Sequence, residues 1–523
     1  MQIVRWKPGD PTLLSSQLAI DTETHMIVDH TLPPVVCMQI YGGGDEVHFV
    51  DWQYIEQYLA NLFGWNPRSD YIFHNSAFDI GVLGYPDFLL KAADEGRVKD
   101  TQHRHVLWQL HNRGYISEWS LKDACKTILG AELDKDEAIR CAFSKDTPPT
   151  QEQVQYAVND AIYTWLLNHE IPTSMTHTDD IQTRAGIALD DMSRRGMLVD
   201  DPVRQELNIM FKKRLENTLQ ILDDNGFIPE QKGNQADLER ILLGIEKVYK
   251  IDFPRTDTGK MSVSKESLAD LPDEIPFIKA LKEYDHCNKM LETYLETKNI
   301  GVDGRVHSRF QVIIKTGRTS SSSPNVQNLP RADGIRGLFI PTIGFVYLAT
   351  DYGQQELFSL GQHCLRTYGE SQLAETLNSG VDVHKFLASK IFRIDIKEVT
   401  KDQRSLAKAA SFGLPGGLSA KTFVTYARGY GANINEAQAQ EVKDIWLRTF
   451  PEMSKHLKPN YDSATDSYYA TTLTGRTRGK CSYCEACNYV FQAVSADVSK
   501  TALWKIYRKK KRAVNFIHVA NIS

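Results

Sequence analysis

The 523 residues carry 41% hydrophobic and 24% charged side chains with a formal net charge of −5, the composition of a soluble globular chain with about two to four domains and ample core. A net negative chain can hold nucleic acid only through local basic surface. Eight cysteines in this length make no disulfide framework and predict a reducing cytosol. No apolar run approaches bilayer length and the start Met1-Gln-Ile-Val-Arg5 lacks a signal core, which argues against a membrane partner and for a cytoplasmic location.

In chain order, Leu18-Ala-Ile-Asp-Thr-Glu-Thr24 predicts a short strand whose alternation puts Asp21 and Glu23 on one face and Thr22 on the other. Strands over Val35–Tyr41 and 46–52 follow, joined by Gly42-Gly43-Gly44 as a hairpin turn. The stretch from Tyr71 starts as a strand and continues as a helix carrying Asp79; Pro148-Pro149-Thr150 then precedes a helix over 151–168. Tyr156 and Asp160 are four apart in that helix, hence on one face. Taken singly, each acid is a cap or surface decoration. Together, four carboxylates and a tyrosine suit two divalent cations, Mg²⁺ or Mn²⁺, about 4 Å apart, which activate a water and stabilise the leaving oxygen of a phosphodiester.

The order Asp21-Thr-Glu23-Thr, Asn75-x-x-x-Asp79, Tyr156-x-x-x-Asp160 resembles the DEDD-type 3′–5′ exonucleases with tyrosine in the last motif. The resemblance implies a ribonuclease H-like domain over residues 1–175. Asp21, Glu23, Asp79 and Asp160 would hold the cations, Tyr156 would orient the water, and the substrate would be a single-stranded DNA 3′ end.

Residues 176–300 are helical and poor in chemistry. Helices are predicted over 188–195, stopped by Gly196, and from Asp200-Asp-Pro202 to Leu222, ended by Asn225-Gly226. Others are predicted over 235–243, 265–269 and 278–293. Lys212, Lys213, Arg214, Lys282 and Lys289 read as a solvated face; the functional alternative is a helical arm on duplex phosphates.

From Arg309 an apolar strand leads to a glycine turn presenting Arg318, then a serine- and amide-rich loop is pinned by Pro324 and Pro330. The apolar run Phe345-Val-Tyr-Leu-Ala349 predicts a buried strand that delivers Asp351, with Glu356 opening the next helix. Arg404, Lys408 and Phe412 lie at i, i+4 and i+8 of one helix, stopped by Gly413 and Pro415. Two cations leading to an aromatic can clamp a triphosphate and stack a base.

Thr316-Gly-Arg-x-Ser-Ser and Pro324-Asn-x-Gln-Asn-x-Pro resemble the signature of family A DNA polymerases. The resemblance implies an α+β / α/β multidomain chain, the exonuclease domain followed by a right-hand polymerase. Thumb and connecting helices would cover 176–300, palm 301–371, fingers 372–470 and the second part of the palm 471–523. Asp351 and the Tyr352 carbonyl would hold a cation, while Arg404 and Lys408 would bind the incoming dNTP, Lys408 donating a proton to pyrophosphate. Phe412 would flank the nucleotide, Glu356 would crowd the 2′ position, and His384 would contact phosphate. Arg318, Asn325, Gln327, Asn328, Asn488 and Gln492 would contact primer–template DNA, chiefly minor-groove edges that are alike in every pair.

Three departures stand out. Gly416 occupies the place of a family tyrosine, and Cys484 the place of an arginine. Val514-Asn-Phe-Ile-His518 copies motif C up to the histidine but continues Val519-Ala-Asn-Ile-Ser523, without the acidic pair. The expectation is the N-terminal piece of a split or interrupted polymerase of a bacterium or phage-infected host, lacking the end of the palm. A second chain or splicing would complete it; alone it would degrade 3′ ends without extending primers. The alternatives are a stand-alone exonuclease with a DNA-holding remnant and a non-enzymatic primer–template binder. Cys481, Cys484 and Cys487 have ligand-like spacing without a fourth ligand nearby and read as incidental thiols. Arg508 to Arg512 reads as a solvated helix end.

Overall fold

Eight residues, Gln17–Thr24, form the strand (β2) on which the N-terminal third is assembled. Its neighbours are β1 (Gln2–Arg5), β3 (Val35–Tyr41), β4 (Glu46–Asp51), β5 (Asp70–Phe73) and β6 (Val98–Asp100), in the sheet order β1-β4-β3-β2-β5-β6. β2 pairs antiparallel with β3, setting Asp21 opposite Gln39 and Glu23 opposite Cys37, and parallel with β5. Alternation sends Leu18, Ile20, Met38 and Ile40 into one core with Tyr71 and Phe73. The opposite face offers Cys37, Tyr41, Val47 and Phe49 to Ala157, Val158 and Ala161, on the helix Gln151–Glu170. Each buried Leu, Ile, Val, Met or Phe among them contributes about 1.5–3 kcal/mol. Thr150 and Gln153 cap that helix reciprocally. At Gly43 the backbone has φ +84° and an added Cβ would lie 2.3 Å from Trp165, so only glycine lets the hairpin turn pass beneath the helix.

The computed structural model describes residues 1–28, 30–133, 137–231, 233–251, 253, 255, 261, 271–509 and 512–516. The chain divides into two compact units: Met1–Arg194 with Phe310–Ser320 and Ala349–Ser523, and Arg195–Arg309 with Ser321–Leu348. In the first unit, the helices Gln355–Tyr368, Val383–Phe392, Lys401–Gly413, Ala420–Arg428 and Glu436–Thr449 share a core of Leu360, Leu387, Leu406, Phe423 and Trp446. A three-stranded antiparallel sheet (Asn460–Asp462, Ser467–Thr471, Thr477–Cys481) leads into the 26-residue helix Tyr483–Arg508.

The second unit holds the helices Asp201–Asp224, Gln235–Tyr249 and Pro276–Met290. Its antiparallel sheet sets Met197–Val199 between Phe339–Ile340 and Arg305–Val306. Two of the five cations expected on a solvated face are tied in. Arg214 bonds Glu283 at 2.7 Å and Asp333 at 3.0 Å, and Lys282 bonds Asp273 at 2.8 Å.

Four expectations need correction or placement. Residues 345–349 form no strand: Val346 and Leu348 are 87% and 86% exposed. A strand exists only through its ladder, and among the described residues none pairs with this run. Val514 to Phe516 likewise carries no strand, while Ile517 to Ser523, His518 included, and the helix expected over 265–269 lie outside the described residues. The apolar strand entering the Arg318 turn is only Arg309–Gln311, since Ile314 already accepts the turn bond from Gly317. No described helix is long and apolar enough to cross a membrane.

Candidate functional site

β2 and the helix Gln151–Glu170 bring Asp21, Glu23 and Asp160 together: one carboxylate oxygen from each lies within 4.8 Å of the others. Glu23 and Asp160 are buried and Asp21 is half-buried. Three carboxylates converging at such range repel one another unless a cation shares them. Hard oxygen donors of this kind fit Mg²⁺ or Mn²⁺ rather than a soft metal. Among the described residues this is the one group of three or more such ligands.

Asp79 is not in that group. Its buried carboxylate accepts from the Thr22 amide at 3.0 Å and the Thr22 hydroxyl at 2.6 Å. Burial pushes its pKa up to about 7, against the Thr22 bonds, which pull it down. So three of the four expected acids converge and the fourth is held on the residue between the two β2 acids. Alternation alone placed Thr22 on the opposite face and could not show that its backbone N–H and hydroxyl are donors to a carboxylate arriving from another element. The helix Ser76–Val82 that carries Asp79 is itself fixed by Asp100, fully buried, which accepts from Ser76 N and Ser76 Oγ at 2.7 Å each. Sequence reasoning missed Asp100; its one signal is the N-cap of the helix Thr101–Arg113. Tyr156, one turn before Asp160, is buried with its ring 6.4 Å from that of Phe143.

The second set of expected residues is gathered elsewhere in the first unit. Arg404 donates to Asp382 at 2.9 Å, and Asp382 caps the helix bearing His384. His384 is buried, 3.1 Å from Ser411 Oγ and 5.5 Å from the Phe412 ring, and burial pushes its pKa down to about 4. The Lys408 ammonium lies 6.0 Å from the Tyr430 ring. Glu356 is buried and ion-paired to Arg318; burial raises its pKa while Arg318 opposes the rise. Asn488 donates to the Cys484 carbonyl at 2.9 Å and accepts from Gln492 at 3.3 Å.

Asp351 and Tyr352 are exposed and no described cluster of metal-binding side chains includes Asp351, so the buried strand end expected to hold them is not formed. The amide loop belongs to the second unit. There Asn325 accepts from Ser321 Oγ at 3.0 Å and Gln327 N at 3.1 Å, and Tyr294 reaches the carbonyls of Asn325 and Asn328 at 3.3 and 3.4 Å. Cys481 and Cys487 are buried, which pushes their thiols up to about 11 and about 12, while Cys484 is exposed. Arg508 is ion-paired to Asp94 at 2.9 Å.

Comparison with known proteins bears on this arrangement. A family model described as DNA polymerase family A matches residues 205–519, and one described as 3′-5′ exonuclease matches residues 12–175. DNA polymerase I of Aquifex aeolicus is 30% identical over 289 residues, covering 52% of this chain and 48% of that protein. DNA polymerase I of Pseudomonas aeruginosa is 29% identical over 381 residues, 66% of this chain and 40% of that protein. The chain thus spans less than half the length of these curated relatives. The polymerase domain of Pol1 from M. smegmatis, solved with DNA primer–template and dNTP, aligns over 97% of this chain and 88% of its own. The TM-score is 0.72 at 22% identity, a likeness of fold. With a family model spanning more than half of its residues, the chain belongs to DNA polymerase family A and carries a 3′–5′ exonuclease domain ahead of its polymerase region.

Proposed function

We propose that the chain removes nucleotides from DNA 3′ ends at Asp21, Glu23 and Asp160, and binds primer–template DNA and an incoming dNTP through its polymerase region, in the cytosol. The observation that carries the first half is the convergence of those three carboxylates within 4.8 Å. Mg²⁺ or Mn²⁺ supplies activation of a water and stabilisation of the leaving oxygen. The protein's share is to hold the acids rigidly on a strand and a capped helix, to orient the water through the Tyr156 hydroxyl, and to keep Asp79 in reserve on Thr22 for a second cation. The proposed domain bounds are 1–175, 176–300, 301–371, 372–470 and 471–523. Within the polymerase region, Arg404 and Lys408 clamp the triphosphate, Phe412 and Glu356 flank the base and sugar, and His384, neutral by burial, donates or accepts one hydrogen bond.

The test is degradation of a 5′-labelled single-stranded oligonucleotide with Mg²⁺. Asp21→Ala combined with Glu23→Ala abolishes it; retained activity removes the assignment. Primer extension, in this reading, needs a partner strand beside residues 345–349 carrying the acids that accompany Asp351, and a second chain is the proposed source. The exposure of Val346 and Leu348 supports this, and robust extension by the purified chain alone refutes it.

A further inference from the structure

The helix Lys401–Gly413 presents Arg404, Lys408 and Phe412 but no side chain at Gly413, and the turn Leu414–Gly416 that follows it offers none at Gly416 or Gly417. A Cβ on Gly416 would lie 2.6 Å from the Asn488 carboxamide, and one on Gly413 would lie 2.8 Å from two ring carbons of Tyr426. The helix Ala420–Arg428 that delivers Tyr426 is capped by Ser419 and anchored by fully buried Phe423 and Ala427. Tyr426 and the half-buried Tyr430 lie with ring centroids 5.4 Å apart, tilted by 42°, and their hydroxyls 3.3 Å apart. Tyr430 in turn lies under the Lys408 ammonium, 6.0 Å away. Burial first, then the Tyr430 bond and the nearby Glu356 carboxylate, raise the pKa of the Tyr426 hydroxyl, so it stays neutral. The aromatic pair therefore links Glu356, assigned to the sugar, with Lys408, assigned to the phosphates.

We propose that Tyr426, braced by Tyr430, is a specificity-determining residue of the nucleotide site, its ring forming the wall against which the deoxyribose of an incoming dNTP packs beside Glu356. This rests on the proposed reading of Arg404, Lys408 and Phe412 as nucleotide contacts. A wall against the sugar is sequence-tolerant because all four dNTPs carry the same deoxyribose. In this reading it also discriminates by shape, the ring and the Glu356 carboxylate together crowding the place of a 2′-hydroxyl.

The experiment uses the full chain on a dideoxy-terminated primer–template and titrates the matched dNTP and the corresponding rNTP with Mg²⁺. Tyr426→Ala weakens the dNTP by about tenfold, the worth of one aromatic contact, and narrows the dNTP-to-rNTP ratio. Tyr426→Leu, which keeps a side chain over Gly413, narrows the ratio equally; Tyr426→Phe stays near the parent on both counts. If Arg404→Ala weakens the dNTP while Tyr426→Ala and Tyr426→Leu bind both nucleotides as the parent does, the role of Tyr426 is overturned and the site stands. Equal loss of primer–template, dNTP and rNTP affinity in Tyr426→Ala and Tyr426→Leu also overturns it, showing a merely structural ring. If parent and Arg404→Ala both fail to hold dNTP, the nucleotide site itself falls, and this inference with it.

Discussion

Asp497→Ala measures how much the long helix Tyr483–Arg508 depends on one buried ion pair. Asp497 and Arg476 are each about 1% exposed, with 3.1 Å between carboxylate and guanidinium. The same carboxylate accepts from Gln182 at 3.1 Å and Thr474 at 3.0 Å. Arg476 also donates to the Ala493 carbonyl at 2.8 Å, yet its Nε and Nη1 have no hydrogen-bond partner. Removing the carboxylate therefore leaves a dry guanidinium with a single acceptor. Stripping one partner from a buried pair costs about 3–5 kcal/mol; Gln182 and Thr474 each lose one bond but keep Thr178 and Thr472 as partners, so they add little.

The control is Asp94→Ala. Asp94 is 40% exposed where it meets Arg508 and also accepts from Trp504 Nε1 at 2.8 Å; the surface pair contributes at most about 1 kcal/mol and the indole bond about 1 kcal/mol more. Urea-dependent hydrogen exchange of the Tyr483–Arg508 amides is the assay, because it reads this helix whatever the other unit does. A loss below about 1 kcal/mol for Asp497→Ala, or one equal to that of Asp94→Ala, would falsify the claim that the pair is dry, since water must then solvate Arg476.

Burial holds His105, His363, His384 and His456 at about 4, below the ordinary 6.5. The unfolded chain thus takes up these protons first as pH falls, so their contribution to stability is intact above about 6.5 and declines toward 4, opposite in sign to that of Asp79, whose raised pKa makes the folded chain the better proton acceptor; imidazole NMR titrations that place the four histidines near 6.5 contradict the burial. Thr22→Val removes the 2.6 Å hydroxyl bond that pulls the Asp79 pKa down, and the acid limb of the degradation rate moves to higher pH; a limb that stays put shows Asp79 is not rate-determining. Gly43→Ala meets both the positive φ and Trp165 at 2.3 Å; it costs about 1–3 kcal/mol and slows degradation by displacing the helix that carries Asp160, whereas an unchanged urea midpoint and rate refute the close approach.

Local patterns in the chain were enough to place β2, β3, β4, the helix bearing Tyr156 and Asp160, and the Arg404–Lys408–Phe412 stripe, all within about two residues. Periodicity and caps are written in neighbouring residues, so they need no tertiary information. The faces of Asp21, Glu23 and Asp160 were legible for the same reason, each set by the repeat of its own element, while grouping them came from the resemblance to DEDD-type 3′–5′ exonucleases. Four things were decided only by packing: that Asp79 turns to Thr22, that Arg318 is spent on Glu356, that Asp100 fixes the helix Ser76–Val82, and that Tyr426 fills the space above Gly413. Each joins residues from different elements, and a side chain's partner there depends on where the other element arrives. The run at 345–349 makes the same point from the other side. Its β-branched and aromatic residues are suited to a strand, but a strand takes half of its hydrogen bonds from a neighbour, and no single stretch of sequence can supply that.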